Sequence, residues 1–110
     1  MLEAINRFRL HHEVEPIRYT DVLTNHHCQL HCFEMAKRQT IFHTPEYYLE
    51  GWSEAVAMMQ YCDQWKDQVI FDILGVSDGH RDILLNNNKL AFAGHIHDNV
   101  VYVCIRGKNQ

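Results

Sequence analysis

The stretches Leu90-Ala-Phe-Ala-Gly-His-Ile96 and Val100-Val-Tyr-Val-Cys-Ile-Arg106, joined by His97-Asp98-Asn99, decide the fold. A two-residue turn at Asp98-Asn99, where both residues tolerate left-handed backbone, makes the pair a β-hairpin. In that register Leu90, Phe92 and Ile96 share a face with Val101, Val103 and Ile105. A slip of one residue would bring Val100, Tyr102, Cys104 and Arg106 into the apolar face, so the first pairing is preferred. It leaves Cys104 on the more polar face, beside His95 and Tyr102.

Upstream of the hairpin, Gln68 to Val76 is an apolar run rich in β-branched residues and reads as a strand. It can equally continue a preceding helix. Ser77-Asp78-Gly79-His80 is a turn signal, and Arg81 to Leu85 is a second short run closed by Asn86-Asn87-Asn88. Further back the periodicity is helical. Leu2 to His11 places Ile5 and Phe8 on one face, and Pro16 forces Glu15 into extended backbone beyond it. A second helix starts at Thr24 or Asn25, with Cys28, Cys32, Phe33, Met35 and Ala36 on its apolar side and His27, His31, Glu34 and Arg38 on a polar stripe. Thr44-Pro45-Glu46 has the form of a helix start, with a capping hydroxyl, a proline and an acid. Ser53 to about Lys66 reads as an amphipathic helix with Ala55, Met58, Met59, Tyr61, Cys62 and Trp65 on its apolar arc. Helices first and antiparallel strands second give an α+β domain over residues 1–110, with N-terminal helices on one face of a C-terminal β-meander or hairpin.

Composition excludes several function classes. Of the 110 residues 46% are hydrophobic and 22% charged, which is globular composition. A chain of this size buries enough surface to fold without staples. No apolar run approaches bilayer length, and Glu3, Arg7 and Arg9 interrupt the first ten residues, so neither a membrane span nor a secretory leader is expected. The expected location is cytoplasmic. A net charge of −4 argues against direct nucleic-acid binding.

The four cysteines, Cys28, Cys32, Cys62 and Cys104, are expected to be free, small core hydrophobes. Nine histidines are the compositional oddity. His27 with His31, and His95 with His97, have chelating spacings, but His27-Cys28-Gln29-Leu30-His31-Cys32 does not converge its ligands, and neither paired Cys-x-x-Cys knuckles nor His-Glu-x-x-His is present. Asp78, His80 and Asp82 are the residues closest to a general-base grouping, on what reads as an exposed tip. Gly75-Val-Ser-Asp-Gly79 is not a phosphate-cradling loop, and there is no nucleophile elbow. No catalytic residue, cofactor or metal is assigned.

Charge distribution is more informative. Between His43 and Asp82 stand eight acids and two bases. Inside that segment Glu46-Tyr-Tyr-Leu-Glu-Gly-Trp52-Ser-Glu54 interleaves three large aromatics with acids. Glu46, Tyr47, Tyr48, Glu50, Trp52 and Glu54 are therefore the candidate partner-binding residues, suited to a larger protein with a basic surface. The expected function is that of a small acidic non-enzymatic binding domain, an inhibitor, immunity-type or accessory factor. The alternative is a small zinc-binding domain using histidine and cysteine ligands.

Overall fold

The computed structural model describes residues 1–109. A three-stranded antiparallel sheet forms its middle layer, with β1 (Ser53–Gln60), β2 (Lys89–His97) and β3 (Val100–Lys108) in the spatial order β1-β3-β2. Helices α1 (Leu2–His11), α2 (Val22–Arg38) and α3 (Glu46–Leu49) precede β1. Between β1 and β2 lie α4 (Trp65–Gln68), the π-helical stretch Val69–Leu74 and α5 (Asp78–Leu85). This is an α+β fold.

The β2–β3 hairpin has the expected register: Ile96 faces Val101, Phe92 faces Ile105 and His95 faces Tyr102. Asp98 at φ 49° and Asn99 at φ 66° make the two-residue turn in left-handed backbone. Such a turn carries the right-handed twist of its strands without splaying them. The first helix also runs as expected, burying Ala4, Ile5 and Phe8.

Four elements differ. The segment read as a helix from Ser53 is strand β1, pairing with β3 from Ser53↔Gly107 to Gln60↔Val100. Glu54, Ala55, Val56 and Ala57 are consecutively buried, because this end of the strand is covered on both faces. A strand buried on both sides loses the alternation that marks one from sequence. The second difference is Gln68 to Val76, which follows the alternative and prolongs α4 as a π-helical stretch, closed by Gly75 N–H donating to Ile70 O at 2.7 Å. Third, Ser77-Asp78-Gly79-His80 is no hairpin turn: it opens α5, and Arg81 to Leu85 completes that helix with Ile83 and Leu84 buried. Fourth, α2 starts earlier than Thr24, because Asp21 is its cap and accepts from Thr24 N–H at 3.0 Å.

Helices cover both sheet faces. On one, Ile5 and Phe8 of α1, Val69, Ile70 and Leu74 of the π-stretch, and Leu84 of α5 pack on Ala55, Ala57, Leu90, Val101, Val103 and Ile105. On the other, Cys28, Cys32, Met35 and Ala36 of α2 meet Val56, Ala91, Ala93, Tyr102 and Cys104. Burying one such Ile or Leu fully is worth about 1.5–3 kcal/mol. This second layer corrects one expectation about the cysteines. Cys104 is fully buried under α2, and Cys62 is the half-exposed thiol.

Candidate functional site

At the end of α2 the chain turns back through Gln39, in left-handed backbone, and runs past Phe42 and Thr44 toward the start of β1. His31 Nε2 donates to Phe42 O at 2.6 Å, and the Arg38 guanidinium lies 4.8 Å from the Phe42 ring centre. The descent ends on a buried carboxylate. Glu54 Oε1 accepts from Thr44 N–H at 2.8 Å and lies 3.1 Å from His43 Nδ1, while Oε2 accepts from the Thr44 hydroxyl at 2.7 Å and from Arg106 Nε at 3.1 Å. Arg106 Nη2 donates back to Thr44 Oγ1 at 3.0 Å. Burial would raise the Glu54 pKa, but the bonds from the Thr44 hydroxyl and amide and from His43 outweigh it and hold the carboxyl below its ordinary value.

Fixed at that point, the chain makes the single turn α3. The Thr44 hydroxyl is committed to Glu54, so it does not cap the helix as its sequence position suggests. Pro45 occupies the cap position instead. Glu50 at φ 51° and Gly51 at φ 88° then reverse the chain into β1, and the second angle suits glycine alone. Lys108 Nζ ties down the reversal by donating to Glu50 O at 3.0 Å. Trp52 is half-buried against the α2-side core, with Lys89 and Lys108 ammonium groups 5.6 and 5.8 Å from its ring centre.

The six residues singled out by sequence therefore divide. Glu46, Tyr47, Tyr48 and Glu50 stand together on the exposed turn, with Tyr47 75% and Tyr48 64% exposed and their rings 4.3 Å apart. Trp52 is the anchor of that turn. Glu54 is turned inward and positions it. Sequence reasoning missed Arg106, Lys89 and Lys108, which reach the turn from strands far along the chain and carry no local signal. Thr44 was visible only as a cap.

The other groupings do not assemble. His95 and His97 stack at 6.3 Å, with Phe33 against His95 at 4.7 Å, and His31 is engaged by Phe42. Among the described residues no group of three or more His, Cys, Asp or Glu side chains converges to hold a metal ion. On α5, Asp78 pairs with Arg81 and Asp82 accepts from Asn86, so the two acids beside His80 are engaged by neighbours on their own helix turn. No protein-family model matches the chain, and no curated protein matches it.

Proposed function

We propose that the protein is a small non-enzymatic binding domain that docks the α3 turn on the basic surface of a larger protein, as an inhibitor, immunity-type or accessory factor. The observation that carries this reading is the Tyr47–Tyr48 pair. Two large aromatics lie in water at 75% and 64% exposure, side by side on a turn that a buried carboxylate and two lysines hold in place. Tyrosines displayed on a preorganised turn offer large contact area with little ordering cost on binding. Glu46 and Glu50 flank the pair and give the surface its sign, favouring a basic partner and speeding encounter.

The test is quantitative binding to a partner crosslinked through a photoreactive group at position 47 in extract of the native host. Tyr48→Ala should weaken the affinity by about 2 kcal/mol, as truncating a hot-spot tyrosine does. Glu46→Gln with Glu50→Gln should slow association and flatten its salt dependence. Trp52→Ala behaves differently, since it removes an anchor within the core and lowers stability as well as affinity. Unchanged affinity in the tyrosine variant, with the fold intact, overturns the assignment.

A further inference from the structure

Away from α3, the extended segment Glu15-Pro-Ile-Arg-Tyr-Thr-Asp21 crosses between the end of α1 and the start of β2 and walls a cavity of about 550 Å³. The Asn6 side-chain amide holds the segment by both backbone groups of Ile17, at 2.9 and 2.8 Å. Arg9 lines the cavity and is only 4% exposed. Its Nε donates to Glu15 O at 2.7 Å, and its Nη1 donates to Leu84 O, in the last turn of α5, at 2.7 Å and to Asn87 O, just beyond that helix, at 3.1 Å.

Three carbonyl dipoles orient this guanidinium, but they do not neutralise it. Among the described residues no carboxylate lies within ion-pairing distance of Arg9, and burial lowers its pKa with no acid opposing the shift. A guanidinium keeps its charge even so, and buried charges in proteins are ordinarily paired. One nitrogen, Nη2, makes no hydrogen bond to the described residues. Because no fully buried side-chain nitrogen or oxygen among the described residues lacks a partner, Nη2 is not sealed in the core, and the cavity is the open space that Arg9 lines. Arg18 and Lys89 also line it, with the 83% exposed Tyr19 ring. Glu15 and Asp21 are the opposing acids, and the Asp21 carboxylate is already occupied by Thr24 and by Lys89 at 3.8 Å. Three cations against two acids leave the cavity one positive charge in excess.

We propose that this cavity binds a small ligand through a single oxyanion group, carboxylate or phosphate, anchored by Arg9 Nη2 and steadied by Arg18 and Lys89. The group supplies the counter-charge that the fold withholds from Arg9 and accepts a charge-assisted hydrogen bond from the one nitrogen left open. The Tyr19 ring offers a planar surface to whatever the oxyanion carries.

The experiment is a nuclear magnetic resonance titration of the full chain with inorganic phosphate and, separately, with propionate, against sodium chloride at matched ionic strength. The Arg9 Nε–H signal and the amides of Arg18, Tyr19 and Lys89 should shift saturably below about 10 mM of at least one probe, the range of a weak site. The probe that saturates identifies the oxyanion as phosphate or carboxylate. Arg18→Gln, an exposed change, should weaken that binding about threefold. Arg9→Lys should abolish it. If that variant fails to fold, the wild-type Nε–H signal and Arg18→Gln still decide. Shifts that are absent for both probes, that chloride reproduces, or that Arg18→Gln leaves unaltered overturn the proposal.

Discussion

Glu54 and Arg106 face each other across β1 and β3 as register partners, with Nε and Oε2 3.1 Å apart and side chains only 1% and 5% exposed. The Thr44 hydroxyl sits between them, donating to the acid and accepting from the base. The pair therefore does more than join two strands that backbone bonds already join. It fixes a third segment, and through that segment the place where α3 leaves the sheet. A buried ion pair contributes little net stability when complete, but removing one member strands the other charge in the core.

Glu54→Ala should accordingly cost about 3–5 kcal/mol in urea unfolding. Replacing both residues together, as Glu54→Gln with Arg106→Met, should cost much less than the two single changes added. The same Glu54→Ala variant should lose partner affinity with Tyr47 and Tyr48 intact, because the Thr44 anchor of their turn is gone. A loss in the double variant equal to the sum of the two single losses would show that the pair does not act as a unit.

Acid should weaken the fold through the same carboxylate. Its folded pKa lies below the ordinary 4.5, so the unfolded chain binds the proton more readily. The stabilisation is complete above that ordinary value and disappears as pH falls through the folded pKa. Unfolding free energy measured between pH 6 and pH 3 should fall more steeply in the wild type than in Glu54→Gln, about 1.4 kcal/mol for each pH unit by which the folded pKa is depressed. Parallel curves would remove Glu54 from the acid response.

Thiol labelling should separate the cysteines. Cys62 is half-exposed and should react first, whereas Cys28, Cys32 and Cys104 are buried and should react only after unfolding. Burial pushes the Cys32 thiol up to about 12, and a hydrogen bond with Cys28 together with burial raises Cys104, so neither supplies thiolate at neutral pH. Mass spectrometry after a short pulse of a thiol reagent should find a single adduct on native protein and four on denatured protein. Rapid modification of Cys104 would mean that α2 does not cover its face of the sheet.

The hairpin was legible because turn chemistry and alternation agreed over residues 90 to 106, and α1 because its apolar spacing lies between clear breaks. Strand β1 was not. Ala55, Met58, Met59, Cys62 and Trp65 happen to recur at helical spacing, while the strand's burial on both faces erases the period that would have opposed it. The acidic-aromatic turn was visible as composition, and four of its six residues are indeed at the surface. That Glu54 faces inward was not visible, since its partner Arg106 is separated by 52 positions and local patterning carries no information about such a pair. Arg9 was hidden for the same reason: its carbonyl partners at Leu84 and Asn87 are joined to it only by the packing of α1 on α5.

Gly94 gives the last test, because it measures how tightly α4 is seated on the sheet. It lies on the same face of β2 as Phe92 and Ile96, and the Trp65 ring that opens α4 rests directly on it. A Cβ at that position would stand 2.7 Å from Trp65 Cη2, closer than carbon atoms approach, and a tight 3.2 Å from Cζ3. The indole is broad and rigid, so it cannot yield as a flexible side-chain tip would. Gly94→Ala should therefore destabilise the protein by about 1–3 kcal/mol despite the better strand propensity of alanine, the usual cost of overpacking. Trp65→Leu alone should also lower stability, by removing ring area from the core. The two changes combined should cost less than their sum, since the smaller side chain leaves room for the new methyl. Simple additivity in chemical unfolding would show that the tryptophan is not what demands glycine at this position.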